Sequence, residues 1–392
     1  MTGRPDITGR PDMTEQPDMT KRPDMTGRPD ETGRSGRSGG MSEWADRNSW
    51  RAGDYVERAR YTHALPANLC AELENASARA RHIAFHELAP QDVPLPGLAG
   101  TIGALFDALE HGAGFAVLSG LPGARLDRDA NAHLLASLCA HLGRVADQNA
   151  GKKKIEDIVD RGLPMDEKNR GYMGTHAIGF HTDGADFTAL YCLNQAAEGG
   201  DSTIASASAV YEIIRAERPD ALAILERGFH HHRRGEQPPG EAVMTERLPV
   251  FWSDNRLVHC LYNRNPPSWL EGTGLSYTAA ESEALDVLDA TLARPDVHLR
   301  MTLAPGEVQF INNYNVLHAR TAYRDGPGKR RHLLRLWLQN ARCRRAGPNI
   351  IDLYAPWHGR KRRGESVMAN PIGGQATGPG RPPDAAVAMG SR

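Results

Sequence analysis

Three residues of this chain could hold a metal between them. His181 and Asp183 stand two apart in Gly179-Phe180-His181-Thr182-Asp183-Gly184. His318 lies far downstream in Asn312-Asn313-Tyr314-Asn315-Val316-Leu317-His318-Ala319-Arg320. On a strand, a spacing of two points both side chains to one face. Imidazole and a short carboxylate suit a borderline divalent ion such as iron(II). Two histidines and one carboxylate on one side of that ion leave the opposite side open for a bidentate co-substrate and O2. The His181/Asp183 pair alone carries little weight, because 16 histidines and 48 acidic residues among 392 supply such a pair by chance. Its surroundings give it meaning.

A second constellation follows in Arg331-His332-Leu333-Leu334-Arg335. On a strand the two arginines share a face with Leu333 and Trp337. The guanidinium fork matches both oxygens of a carboxylate. An arginine pair turned inward among apolar neighbours is costly unless an anion meets it.

Holding these groups together takes strands whose faces meet. Residues 185–193 read as a strand leaving the His181 motif, with Phe187, Ala189 and Tyr191 on one face. Residues 302–311 read as a strand after the Pro305-Gly306 turn, and 250–252 with 257–262 as a pair around Ser253-Asp254-Asn255. A helix is expected over 127–145, where Leu134, Leu135, Leu138, Cys139 and Leu142 recur at helical spacing and Gly143 stands as C-cap. Further helices are expected over 207–218 and Pro219–Arg227, broken at Pro219, and over 276–293. His230-His231-His232 invites a metal reading, but neighbours on a strand face opposite ways. Those three read instead as an exposed or loop-edge basic cluster, and Lys152-Lys153-Lys154 as a solvated loop. Short strands between turns, with helices gathered in blocks, predict a β-sandwich with flanking helices rather than a parallel α/β sheet.

Four ordered blocks between residues 100 and 342 resemble the TauD/TfdA family of iron(II)/2-oxoglutarate dioxygenases, relatives of taurine dioxygenase and clavaminate synthase. They are the glycine-flanked strand from Gly112 to Pro122, His181-Thr182-Asp183, the GGDT-like Glu198-Gly199-Gly200-Asp201-Ser202-Thr203, and the stretch from Pro305 through His318 to Leu338. The resemblance implies a fold that is mainly β with flanking helices, a double-stranded β-helix or jelly roll, with the metal in its mouth. It implies iron(II) on His181, Asp183 and His318, and 2-oxoglutarate anchored by Arg331. Ser202 stands where the family has a co-substrate-binding Thr, with Thr203 as the alternative, and Arg335 serves the co-substrate or the substrate. The implied reaction oxidises a C–H bond of a small polar metabolite, most simply by hydroxylation, with succinate and CO2 as co-products. Two readings from other classes stay open: a zinc-dependent hydrolase or isomerase on the same three ligands, and a non-enzymatic binding module.

Composition bounds the partners. A formal charge of −1 gives no electrostatic reason to expect nucleic acid or a membrane surface. Neither an apolar run long enough to span a bilayer nor a signal peptide is expected. Cys70, Cys139, Cys192, Cys260 and Cys343 are odd in number and lack C-x-x-C spacing, which fits a reducing cytoplasm. A homo-oligomer stays open. Residues 1–30 are five copies of a unit such as MTGRPD, which bring almost no apolar side chains to stack. The expected organisation is therefore a disordered repeat extension over 1–40, a dioxygenase domain over 41–358 and a disordered Gly/Pro-rich tail over 359–392, with Met41 as an alternative start.

Overall fold

The computed structural model of the protein describes residues 47–343, apart from 150, 164–170, 238, 254–256 and 265–266. The repeats of 1–40, Met41, the tail from 359 and the turn residues Asp254 and Asn255 lie outside the described residues.

The strands that build the core are β1 (Thr62–Ala64), β2 (Phe115–Ser119), β3 (Arg144–Val145), β4 (Ile155–Ile158), β5 (Ile178–His181), β6 (Phe187–Asn194), β7 (Ser202–Ser206), β8 (His298–Met301), β9 (Val308–Asn312), β10 (Val316–Arg320) and β11 (His332–Gln339). The helices are α1 (Ala67–Arg79), α2 (Ala99–Glu110), α3 (Arg128–Cys139), α4 (Ala207–Glu217), α5 (Pro219–Arg227) and α6 (Ala279–Leu292). One sheet runs β1-β2-β9-β6-β11-β3, with β4 also on β11, and a second runs β8-β7-β10-β5. Only β1 and β2 pair in parallel; the other pairings within these two sheets are antiparallel.

Alternation along each strand decides what each face meets. On β6, Phe187, Ala189, Tyr191 and Leu193 point outward, cluster with Val308, Phe310, Leu334, Leu336 and Leu338, and are covered by α1, α2 and α3. The opposite face of these strands turns Ile311 and Leu333 toward Ile204, Leu299 and Val316 of the second sheet. The second sheet's outer residues Ala205 and Leu317 lie under α4, α5 and α6. The layers are helix, sheet, sheet, helix, and the fold is the expected mainly β jelly roll with flanking helices. Phe187 and Phe310 are wholly buried, and each contributes about 2–3 kcal/mol by leaving water. A one-residue slip of β6 would turn that set into the inner layer and Thr188, Leu190 and Cys192 out of it. The apolar pattern thus fixes which residues face the site.

Helix ends follow local chemistry. Asp127 accepts a hydrogen bond from the Ala130 amide (2.7 Å) and starts α3. Thr278 and Glu281 form a capping box that starts α6 three residues later than expected. The helix expected to reach residue 145 ends instead at Cys139, because Val145 and Arg144 are drawn into β3 by pairing with Leu338 and Gln339. The strand expected from 302 begins only at Val308, after Gly306 turns the chain at φ +89°. After α5, Gly228 takes φ +80°, and a Cβ there would lie 2.0 Å from the Leu248 carbonyl oxygen. Of the three lysines expected in a solvated loop, Lys152 is exposed, while Lys153 and Lys154 are half-buried and pair with Glu156 (2.7 Å) and Asp147 (2.8 Å).

The histidine cluster departs from expectation. Phe229–His232 is a strand paired with Met244–Leu248, so its residues alternate, and His231 is buried rather than exposed. Burial, with the neighbouring His230, pulls the His231 pKa down to about 4 from an ordinary 6.5. The folded state therefore disfavours the proton that the unfolded state takes up. This contribution to stability is whole above pH 6.5 and is lost as pH falls toward 4. His231→Phe should remove most of that loss, about 3 kcal/mol at full protonation. Urea unfolding at pH 7 and pH 4.5 checks this, the expected result being a smaller acid destabilisation in the variant than in the parent.

Candidate active site

β5 and β10 lie side by side in the second sheet, with His181 directly opposite His318. The register shifts between His318 and Arg320, so Arg320 pairs with Ile178. This bulge turns Ile178 and His181 to the same inner face, a common device beside functional sites. The imidazole centroids are 4.2 Å apart. β5 ends at His181, so Asp183 does not continue the strand as expected but sits in the turn beyond it. That turn is held from below: the Asp183 amide donates to Asn313 Oδ1 (3.2 Å), and Asn313 Nδ2 donates to the Ala185 carbonyl (3.1 Å) and Thr188 Oγ1 (3.0 Å).

The result is a compact three-residue cluster. One donor atom from each of His181, Asp183 and His318 falls within 4.8 Å of the others. His318 Nε2 lies 3.6 Å from Asp183 Oδ2, and His181 Nε2 lies 4.0 Å from Oδ1. His181 Nδ1 donates to the Gly179 carbonyl (3.0 Å), which leaves Nε2 as the lone-pair nitrogen. Burial, helped by His181, pulls the His318 pKa down to about 3, so its imidazole is neutral at pH 7. Burial pushes Asp183 up, but the Arg335 charge first, then the neighbouring His318 and His181 and the Thr188 hydrogen bond, outweigh it and hold the carboxyl well below the usual range. Two imidazoles, that of His318 neutral, and one ionised carboxylate are a donor set that fits a divalent cation.

Asp183 is oriented from three further directions. Thr188 Oγ1 on β6 and Trp337 Nε1 on β11 each donate to Oδ2 at 2.9 Å. Arg335 Nη1 stands 3.4 Å from Oδ1, an ion pair more than a hydrogen bond. Arg335 Nε also donates to Gln148 Oε1 (2.8 Å), and its guanidinium lies over the rings of Tyr172 (5.3 Å) and Trp337 (5.0 Å).

Deeper between the sheets, Arg331 is 7% exposed. Its Nη2 faces the Gly200 carbonyl (3.3 Å), while Nη1 has no partner among the described residues. Gly200 is needed there, since a Cβ would lie 2.8 Å from Arg331 Nε. Burial pulls the Arg331 pKa down. On β7, Ile204 packs between the sheets and Ala205 packs under the helices. Alternation therefore puts Ser202 on the inner face with Ile204 and turns Thr203 away. Ser202 Oγ donates to Gln309 Oε1 (2.8 Å).

The structure thus brings His181, Asp183 and His318 together, with Arg335 against them and Arg331 and Ser202 deeper in the same layer. Sequence reasoning missed Thr188, Gln148, Asn313, Arg320 and Tyr323. Arg320 was within reach, because continuing the alternation of His318 by two residues puts it on the same face. The others become visible only when distant strands meet.

Residues 79–337 match the family described as Taurine catabolism dioxygenase TauD, TfdA family. The chain is 30% identical over 302 residues to FR-33289 synthase of Streptomyces rubellomurinus, covering 74% of this chain and 89% of that protein. It is also 30% identical over 264 residues to the taurine hydroxylase-like protein SAT17 of Stachybotrys chartarum, covering 64% and 67%. Among solved structures, an asparagine oxygenase in complex with Fe(II), 3-hydroxyasparagine and succinate superposes with a TM-score of 0.53 at 18% identity, over 71% of this chain and 93% of that one.

Thr188→Val deletes one of the donors that orient Asp183 while keeping the side-chain shape. Loss of such an outer partner typically costs 10–100-fold in metal affinity. Anaerobic titration with cobalt(II), followed by its visible absorption, should show that loss in a variant whose circular dichroism spectrum remains folded, with a lowered unfolding midpoint because Asn313 Nδ2 also loses its Thr188 partner.

Proposed function

The chain belongs to the TauD/TfdA family of iron(II)- and 2-oxoglutarate-dependent dioxygenases, and from that premise we propose that His181, Asp183 and His318 hold its iron. The observation that carries this reading is the convergence of those three donor atoms within 4.8 Å, across a bulged strand pair and a turn. The zinc-hydrolase and binding-module readings fall away with membership of the family. When bound, iron(II) and 2-oxoglutarate supply the O2 chemistry that oxidises a substrate C–H bond and yields succinate and CO2.

The side chains have separable tasks. His181 and His318 offer nitrogen lone pairs, and Asp183 offers the negative charge that two imidazoles lack. Thr188, Trp337 and Asn313 keep the carboxylate turned toward the histidines. Arg331, a buried cation with an unpartnered N–H group, is assigned to the far carboxylate of 2-oxoglutarate. Ser202 is assigned beside it. Its proton goes to Gln309 Oε1, while the Gln309 amide nitrogen meets only the Met301 thioether (3.1 Å), so a turn of that amide frees the serine hydroxyl to donate. Arg335, grouped with the co-substrate residues on sequence grounds, already serves Asp183 and Gln148; we assign it to keeping Asp183 ionised and to the substrate side of the metal.

The substrate is assigned as a small polar molecule. Around Arg335 stand Gln148, Tyr172 and its β-sheet partner Glu156, which is 1% exposed and paired with Lys153 and Arg161. A lining of this kind suits polar groups and holds water out from the reacting bond. No helix among the described residues is long and apolar enough to cross a membrane. We assign the activity to residues 41–358, which enclose the matched segment, and the cytoplasm as its compartment, where buried thiols such as Cys139 and Cys260 stay reduced.

The direct test is anaerobic addition of iron(II) and 2-oxoglutarate, which should produce the visible charge-transfer band of a chelated 2-oxo acid. His181→Ala and His318→Ala should each lose the band and substrate-dependent succinate release while keeping a folded circular dichroism spectrum. Succinate output equal to the parent's would remove that histidine from the assignment.

Arg331→Ala should chiefly raise the KM for 2-oxoglutarate. A charge-assisted bidentate contact corresponds to roughly ten- to more than a hundredfold in affinity. The same defect in Arg335→Ala but not in Arg331→Ala would move the anchor to Arg335.

A further inference from the structure

Two buried guanidiniums and a phenol meet beneath the metal ligands with more donors than partners. Arg320, on β10 two residues beyond His318, is 7% exposed, as are Arg331 and Tyr323. The Tyr323 ring centroid lies 4.7 Å from Arg320 Cζ and 5.2 Å from Arg331 Cζ. Arg320 Nη2 is used: it donates to the Gly174 carbonyl (2.8 Å) and to that of His176, and the Tyr323 amide donates to Thr175 O (2.9 Å). Arg320 Nε, Arg320 Nη1, Arg331 Nη1 and Tyr323 OH are buried and have no partner among the described residues. The acids nearest in chain are engaged elsewhere. Asp201 takes Arg300 and Thr302, Asp325 accepts from the Arg331 backbone amide, and Asp160, whose charge also reaches Arg320 and Tyr323, accepts from the Gly162 amide (2.9 Å) without a hydrogen bond to either.

A buried donor without a partner is destabilising, and two facing cations without an anion are more so. Tying the 174–176 segment to β10 needs only Nη2, so it leaves Nε and Nη1 unexplained. An anion placed between the two guanidiniums would satisfy all four groups. The spacing says which anion. His318 and Arg320 share the inner face of β10, and two residues of strand advance about 7 Å. A five-carbon diacid whose oxo-acid end lies at His318 reaches that depth with its other carboxylate.

We propose that Arg320 is a second cation for the far carboxylate of 2-oxoglutarate, acting with Arg331 across Tyr323, whose hydroxyl donates to the same group. This rests on the assignment of Arg331 above and extends it from a single-arginine anchor to a two-arginine receptor. The second cation selects for a dicarboxylic over a monocarboxylic 2-oxo acid. The carbonyls of Gly174 and His176 hold the Arg320 fork in place for that contact.

Calorimetric titration of the anaerobic iron(II) enzyme with 2-oxoglutarate, and separately with 2-oxobutyrate, which lacks the far carboxylate, tests this. Arg320→Met should weaken 2-oxoglutarate about 10–100-fold and leave 2-oxobutyrate unchanged. Arg320→Lys should recover part of the loss. Tyr323→Phe should weaken 2-oxoglutarate roughly two- to tenfold, again without effect on the shorter acid. Equal losses for both acids would show that Arg320 only braces the 174–176 segment, and no loss would show that it is not used; either overturns the proposal. Loss in Arg331→Met with none in Arg320→Met would sink the second cation alone. A parent enzyme that takes up neither acid would sink the functional reading and this inference with it.

Discussion

One carboxylate that must stay ionised in the dry layer between two sheets is the constraint on which this structure depends. Taking a charged group that far from water costs several kcal/mol even after relaxation, and Asp183 is 5% exposed. The compensation comes from everywhere at once: a cation on β11, imidazoles on β5 and β10, a hydroxyl on β6, an indole on β11 and the amide clamp of Asn313. No single element supplies enough. The fold is what lets them add, because residues from five separate stretches of chain converge only when both sheets are in register. The outer apolar layers against the helices set that register.

The inner layer carries its charges in an ordered way. Near β5 the groups are an ionised carboxylate with two imidazoles; at the end of β10 and just before β11 they are cations with unused donors. Each end alone is unfavourable, and each is what a divalent cation or an anionic diacid would relieve. Violations of ordinary burial rules are expected to gather at functional sites, with the surrounding packing offsetting them. Here the offset is visible in the wholly buried Phe187, Phe310 and Tyr191 on the outer face of the first sheet and Ala205 and Leu317 on the outer face of the second. Packing against the helices lies on the outer faces of the two sheets, and the charged groups lie between them.

Arg335 and Arg331 illustrate how little spacing says about role. They share a face and a residue type, four positions apart. One meets Asp183 and Gln148; the other meets a carbonyl and an aromatic ring and keeps a donor in hand. The difference lies in what stands opposite: β5's turn brings a carboxylate to Arg335, while the residues leading into β7 bring the Gly200 carbonyl to Arg331. Such asymmetry is a property of how two sheets face each other, and no periodicity in β11 records it.

Sequence alone determined the periods and the residue types that chemistry requires. Alternation put Phe187, Ala189 and Tyr191 on one face and Arg331, Leu333, Arg335 and Trp337 on another, and the residue types of His181, Asp183 and His318 marked them as candidate donors. Those are local facts, since a strand's two-residue period and an imidazole's lone pair do not depend on the rest of the chain. Tertiary structure decided the remainder. It ended α3 at Cys139 because β11 needed an edge partner in Arg144 and Val145, and it buried His231 by pairing its strand. It turned Ser202 inward and Thr203 away by fixing which face of β7 looks between the sheets, and it set Arg320 and Arg331 against Tyr323. Each of these outcomes depends on a contact between residues far apart in the chain, and the energy of such a contact exists only once the two sheets have closed on each other.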